Sequence, residues 1–389
     1  MKLIEIGLGI LGLAQVACTA DNAGALASAG AGGLGGSGIQ TAGSSGNGGV
    51  SSAGTAAAAG ASTGGAAGAG FGGNDAGGSA VATLGGSSGG GPGVAGSAGA
   101  AGSAGNAGAG PVAHRFVSGI SGDGPVAIVA ADGHIEWQHH VAGEANDAWA
   151  LPNGHVVFAH TSGATELDAN QQVIWNYQAP ADSEVQGCQP LAGGGFLIGE
   201  AHGGGMSFVR ELDATGKVAK SVAVNAGTNL SPHEQFREVR KTPQGTYLVT
   251  YLGLGHAREV DATGKLLREF PCGSFVAVRL PDGNTLISCG DDHRVIEVDP
   301  QNNVVWQVGQ MEIPGNQLGF AAGVQRLRNG NTVICNWSGH GGVPADQPQC
   351  FELTRDKHVV WALKSPELGK ISNLEVLDPD ASVAGVALR

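Results

Sequence analysis

The chain has 389 residues, with 20 Lys and Arg against 33 Asp and Glu, a net charge of −13, and 70 glycines. That acidic balance argues against nucleic acid and anionic lipid headgroups as partners, since either needs a basic face. Length alone suggests two or three domains, but the way residue types are distributed overrules it.

Residues 1–18, "MKLIEIGLGILGLAQVAC", place one lysine ahead of an apolar run and then small residues. This is the form of a secretory signal, too short to span a bilayer comfortably. Cys18, directly after "QVA", resembles the lipidated cysteine of bacterial lipoproteins, with Gln15 where that motif usually carries Leu. Lipidation at Cys18 and ordinary cleavage near Ala20 are the two readings. The first predicts an outer-membrane or cell-surface lipoprotein held to the membrane by its lipid alone, the second a periplasmic or secreted protein.

Residues 19–112 are almost entirely Gly, Ala, Ser, Thr and Asn, with one aromatic (Phe71), two acids (Asp21, Asp75) and no Lys or Arg. So little large apolar surface cannot offset the entropy of ordering the chain, which predicts a disordered linker. As a Gly-rich coil its 94 residues would reach ~50 Å on average, from ~5–6 Å × √n. Its glycines keep no three-residue period, which excludes collagen.

The predicted folded domain is 113–389. It holds 19 basic and 30 acidic residues once Lys2, Glu5, Asp21 and Asp75 are set aside. Its sequence repeats. "ELDANQQVIWNY" (166–177), "ELDATGKVAKSV" (211–222), "EVDATGKLLREF" (259–270), "EVDPQNNVVWQV" (297–308) and "ELTRDKHVVWAL" (352–363) are copies of two strands about a tight turn, and "AIVAADGHIEWQ" (127–138) is a degenerate sixth. A second hairpin precedes most of them, as in "AWALPNGHVVFAH" (148–160) and "AVRLPDGNTLISC" (277–289). Period-2 strands joined by Asn-Gly or Asp-Gly turns give four antiparallel strands per unit.

Trp137, Trp175, Lys220, Arg268, Trp306 and Trp361 occupy one slot, spaced by 38, 45, 48, 38 and 55 residues. That is the length of a β-propeller blade. The fold expected is an all-β, six-bladed propeller of four-stranded blades. The first unit starts at its third strand, and "NLEVLDPDASVAGVALR" (373–389) has the form of the missing two. The chain ends are therefore expected to share one blade, two strands from each.

Each complete unit carries a histidine in or beside the link between its second and third strands: His160, His202, His256, His293 and His340. In a propeller that link opens on the same face as the link between blades. Five imidazoles are therefore expected around a central mouth, with His233, Gln235 and Arg237 of "SPHEQFREVR" and Gln186 of "SEVQGCQ" beside them. His256, His293 and His340 are candidate ligands for a divalent metal such as zinc or manganese, with Asp291, Asp292 or Glu200 able to add an oxygen. His160, His202, Gln186 and Gln235 are candidate ligand contacts. Trp149 and Trp337 fall outside the repeated Trp slot, which makes them candidate stacking platforms. His233 is the candidate base and Arg237 the candidate holder of an anionic group.

Five cysteines (Cys188, Cys272, Cys289, Cys335 and Cys350) leave at least one unpaired, and no CxxC occurs. They read mostly as small buried apolar residues. No GxSxG elbow, HExxH or phosphate-binding loop is present.

The "ELDxxGxVxW" copies, with "LPNGHVVFA" and "LPDGNTLIS", resemble the PQQ-like bacterial β-propeller repeat family over about 126–389. They are also similar to the exported propellers grouped near arylsulfotransferases. The resemblance implies a propeller, among relatives that include cofactor-dependent dehydrogenases and assembly scaffolds of the outer membrane. The quinoprotein dehydrogenases have eight blades and adjacent cysteines, which this chain lacks, so PQQ is not expected as its cofactor. The function expected is binding of a small polar ligand, carbohydrate foremost, with metal-assisted lyase or hydrolase chemistry if catalytic. The alternative is a non-catalytic scaffold for an envelope protein.

Overall fold

A computed structural model describes residues 113–227, 230–340, 346–382 and 388–389. The signal, Cys18 and the linker lie outside the described residues. Six four-stranded antiparallel sheets are arranged as the blades of a propeller, with no α-helix among the described residues.

Blade 1 combines β1 (Phe116–Ile120), β2 (Pro125–Val129) and β3 (Ile135–His140) with the last strand of the chain, in the order β24-β1-β2-β3. Blade 2 is β4 (Asp147–Ala150), β5 (Val156–His160), β6 (Gly163–Leu167) and β7 (Val173–Gln178). Blade 3 is β8 (Ser183–Pro190), β9 (Phe196–His202), β10 (Met206–Leu212) and β11 (Val218–Asn225). Blade 4 is β12 (Phe236–Lys241), β13 (Tyr247–Tyr251), β14 (His256–Val260) and β15 (Leu266–Glu269). Blade 5 is β16 (Ala277–Arg279), β17 (Thr285–Ser288), β18 (Arg294–Val298) and β19 (Val304–Gly309). Blade 6 is β20 (Ala321–Arg326), β21 (Thr332–Asn336), β22 (Cys350–Leu353) and β23 (Val359–Leu363), after which β24 (Ile371–Val376) returns to blade 1.

The closure expected from sequence is corrected here. Three strands of blade 1 come from the N-terminal side and one from the C-terminal side, not two from each. The strand overlooked was β1, "FVSGI", which has no turn motif ahead of it and alternates weakly because all five residues are buried. It pairs with β24 from Phe116↔Val376 to Ile120↔Ile371, so both chain-end edges are closed.

One turn geometry explains the repeat. In "ELDATGK", Asp213 N–H donates to Lys217 O at 2.9 Å, and Gly216 sits at φ 78°. Asp213 Oδ1 accepts from the N–H groups of Thr215 and Lys217 at 2.8 and 3.1 Å. This is the three-residue hairpin with a left-handed third residue. It recurs at Asp168, Asp261 and Asp299. The bulge this turn creates falls between the Glu and the Leu or Val of the motif in five blades.

In blades 3 to 6 the motif Glu beside that bulge reaches the next blade, whereas Glu166 bonds His155 of its own blade. Lys241 pairs with Glu211 at 2.7 Å, Arg279 with Glu259 at 2.6 Å and Arg326 with Glu297 at 2.8 Å. The slot occupied by Trp or a cation also reaches across. Trp306 Nε1–H donates to Arg355 O at 2.8 Å, and Lys220 Nζ donates to Tyr247 Oη at 3.0 Å. The hydrophobic core lies between blades. Val117, Ile128, Ala148 and Phe158 join blades 1 and 2, while Leu197, Val209, Val239 and Val249 join blades 3 and 4.

Candidate functional site

The first strand of each blade (β24, β4, β8, β12, β16, β20) is innermost, so its leading residues and the link before it ring the mouth. At equivalent positions stand Asn146, Gln186, Arg237, Phe275, Ala322 and Ser372. Polar residues come from blades 1 to 4 and apolar ones from blades 5 and 6. The mouth is two-sided.

On the polar side one hydrogen-bond chain crosses four blades. Ser372 Oγ donates to Asn146 Oδ1 at 3.0 Å, and Asn146 Nδ2 donates to Glu144 Oε2 at 3.1 Å and to Gln186 Oε1. Ser121 Oγ donates to Glu144 Oε1 at 2.7 Å. Gln186 Nε2 donates to Glu184 Oε2 at 3.1 Å, and the same oxygen lies 3.1 Å from His233 Nδ1. Arg237 Nη2 donates to His233 Nε2 at 2.8 Å.

That last contact fixes a tautomer. Arg237 can only donate, so Nε2 holds a lone pair and the ring proton sits on Nδ1, donated to Glu184. His233 is thus held between a carboxylate and a guanidinium, and at 45 % exposure it is open to solvent. Its hydrogen bond holds the Glu184 carboxyl below the usual carboxylate range, against a smaller opposing effect of burial.

Arg237 is 4 % exposed, and its nearest carboxylate oxygen, Glu144 Oε2, is 3.7 Å away. Burial depresses its pKa, partly countered by Glu144, Glu184 and Glu238. The bond to His233 is the one hydrogen bond its guanidinium makes among the described residues. A desolvated guanidinium with unused donors beside a solvent-open base is an anion-holding arrangement.

Below this cluster charge fills the axis. Arg240 is buried against Asp147 at 2.9 Å and Glu238 at 2.6 Å. Arg389 lies over Trp149 at 3.7 Å and donates to Asn373 Oδ1 at 2.6 Å. Burial pushes Glu238 up, and Asp147 adds to this against the pull of Arg240. The group is closed off beneath the mouth.

The five link histidines are not gathered. His160 bonds Ser162 and Thr165, His202 bonds Glu200, and His256 lies 3.2 Å from Glu269. His293 bonds Gly319 O, and His340 lies 3.1 Å from Asp291. Inward, His293 and His340 reach only the link before β20, through Gly319 O and the Phe320 ring, and the side chains of the other three bond within their own blades. The reason is radial: the link joins the second and third strands, roughly 5–10 Å outside the inner strand at ~4.8 Å per strand. Residues there fall on a wide circle, one blade apart. Among the described residues no three His, Cys, Asp or Glu side chains form a metal-holding group, so His256, His293 and His340 share no centre. Asp292 instead pairs with Arg294 at 3.2 Å, and Glu200 is taken by Arg210 and Tyr177.

The proposed platforms are corrected as well. Trp149 and Trp337 are 6 % and 8 % exposed, in the cores between blades. Their indole N–H groups donate to Cys188 O at 2.6 Å and Ser121 O at 3.1 Å. Neither has a free face for a ligand. Gln235 is fully buried with its amide donating to His202 O at 2.5 Å, so it supports the mouth without lining it. Gln186 lies in the chain of contacts, buried behind Glu184. His233, Arg237 and Gln186 are therefore the predicted residues that the structure brings together. Glu144, Asn146, Glu184, Ser121 and Ser372 are not among the residues expected from sequence, although "EANDAW" (144–149) and "SEVQGCQ" (183–189) carry three of them. A groove of about 380 Å³ lined by Val224, Val260, Leu266 and Arg258 lies on the outer flank between blades 3 and 4. Among its lining residues Arg258 is the one titratable side chain, so it offers no acid–base pair.

The Mal s 1 allergenic protein-like family matches residues 158–358. This chain belongs to that family. The blade likeness to the PQQ-like repeat extends to the propeller fold. A solved protein of unknown function from Bacteroides caccae is 30% identical, over 68% of this chain and 98% of that one, with a TM-score of 0.63. A streptogramin B lyase structure is 12% identical over 67% and 87% (TM-score 0.46), and a virginiamycin B lyase from Staphylococcus aureus 12% identical over 57% and 71% (TM-score 0.41). At that distance the lyases carry no argument about activity. No curated protein matches the chain.

Proposed function

We propose that this Mal s 1-like propeller binds a small acidic carbohydrate at its mouth and abstracts a proton next to the carboxylate, as a lyase does. The observation that carries this is Arg237: nearly buried, short of partners, and bonded to the free lone pair of His233. A sugar carboxylate on Arg237 would occupy its unused donors and render the neighbouring C–H more acidic. His233 Nε2, released from Arg237, takes that proton while the C–O bond β to the carboxylate breaks. The departing oxygen leaves as a hydroxyl protonated by solvent, and Glu184 stabilises the imidazolium. Glu144, Asn146 and Ser372 would meet hydroxyl groups. His233 is preferred to a metal at His256, His293 and His340 because those three converge on no common point. Export, with a lipid anchor at Cys18, accompanies this reading. It rests on the leader pattern and on the Cys272–Cys289 disulfide, a bond that persists in oxidising compartments.

The test is calorimetric titration of the full chain with uronate oligosaccharides and their neutral counterparts, alongside assay for the unsaturated product. Uronates are expected to bind, Arg237→Met to weaken them at least about tenfold, and His233→Gln to bind but release no product. Unchanged binding by Arg237→Met, or no binding of any glycan, overturns it. A second reading, a scaffold for an envelope protein, has its own support. Val173–Ile174, Leu266–Leu267 and Val304–Val305 expose apolar pairs at the starts of outer strands. A stable protein partner captured from envelope extracts, with no glycan bound, favours that reading.

A further inference from the structure

We infer that Cys335 and Cys350 form a second disulfide, cross-linking the two middle strands of blade 6. They are direct partners in the β21–β22 ladder. Asn336 N–H donates to Gln349 O at 2.7 Å, so 336/349 is a hydrogen-bonded pair. The adjacent pair 335/350 is therefore the non-hydrogen-bonded kind, in which side chains stand closest. Their Sγ atoms are 3.1 Å apart, inside the ~3.5–4.0 Å at which non-bonded heavy atoms settle. Both are buried, and Cys272 and Cys289 are already bonded to each other. The chain already holds one such bond, Cys272–Cys289, and Cys188 is buried alone, its Sγ–H donating to Asp147 O at 3.4 Å. The odd count is thus resolved as two bridges and one solitary thiol.

The step balances through thiol–disulfide exchange with a disulfide oxidant of the exporting compartment. One cysteine thiolate attacks the oxidant's disulfide, expelling a thiolate. The second cysteine, losing its proton, attacks the mixed disulfide and expels the other. The protein gives up two protons and two electrons, and the oxidant leaves as two thiols. Burial of both sulfurs means that exchange precedes the packing of blade 6. The bond also ties the strands on either side of the link that carries Trp337 and His340.

The full chain, refolded in a glutathione redox buffer, is denatured in iodoacetamide and cut with trypsin. Residues 329–355 contain no internal Lys or Arg, so both cysteines fall in one peptide. It is expected unalkylated and lighter by two hydrogens than its reduced form, with the peptides bearing Cys272 and Cys289 joined as an internal standard. Two alkyl groups on that peptide overturn the inference. The double variant Cys335→Ser, Cys350→Ser should melt lower than the parent by roughly 5–10 °C under oxidising conditions, the gap closing under reductant. A gap equal in both conditions would mean lost packing alone, and also overturns it.

Discussion

His114 stands at the joint where the ring closes. Its Nε2 lies 2.7 Å from Glu352 on blade 6, and its Nδ1 lies 2.6 Å from Asp378 just after β24. Burial alone would depress its pKa, but the hydrogen bonds and charges of Glu352 and Asp378 hold it above the ordinary 6.5. Glu352 is the mirror case: burial would raise it, and bonds from His114 and Asn331 hold it below the ordinary 4.5. The imidazolium contributes fully below 6.5 and is lost as pH rises through its raised value, whereas Glu352 contributes above 4.5 and is lost as pH falls. The joint is tightest between those limits. Thermal denaturation of His114→Gln should therefore show its largest deficit against the parent near pH 6 and a shrinking one toward pH 9. A deficit that grows with pH would be the wrong sign. Deeper in, Arg240→Met strands Asp147 and Glu238 without their common cation. It should cost about 3–5 kcal/mol in urea unfolding, as removal of one partner of a buried pair does.

Among elements, the Glu of each "EVD" motif is the unit of blade-to-blade attachment. Glu297 accepts from Asn284 and Arg326 at 2.8 Å each, and from Arg355. Glu297→Gln should lower stability by about 1–3 kcal/mol, read from the urea midpoint, since bonds to a charged acceptor are the stronger kind. β24 closes an edge. Ending the chain at Ser365 removes it together with Asn373 and Glu375, and should abolish the cooperative melting transition. Retention of the parent's transition would show that blade 1 stands on three strands. The hairpins of this scaffold were readable in advance, because Asp, Asn and Gly each mark a required backbone conformation. β1 was not, because full burial erased the alternation by which a strand is recognised.

For the whole molecule, composition predicts a boundary near residue 113. Limited proteolysis of the full chain should trim the Gly, Ala and Ser-rich segment and stop there. A protected fragment of full length would contradict that expectation. The propeller count followed from sequence because each blade is a local hairpin pair, and turn chemistry is local. The candidate site was legible only in part. His233 and Arg237, which the structure bonds to each other, stand in one dense polar run preceding an inner strand. Glu144 and Glu184 lie 40 residues apart and are joined through Asn146 and Gln186 only because successive inner strands converge on one axis. The link histidines failed for the same reason in reverse, since their strands diverge from it. Sequence by itself determined the repeating unit, its turns and the number of blades, all of which depend on neighbours a few residues apart. Tertiary structure alone decided which side chains share the mouth. Radius from the axis is a property of the closed ring, and no single blade contains it.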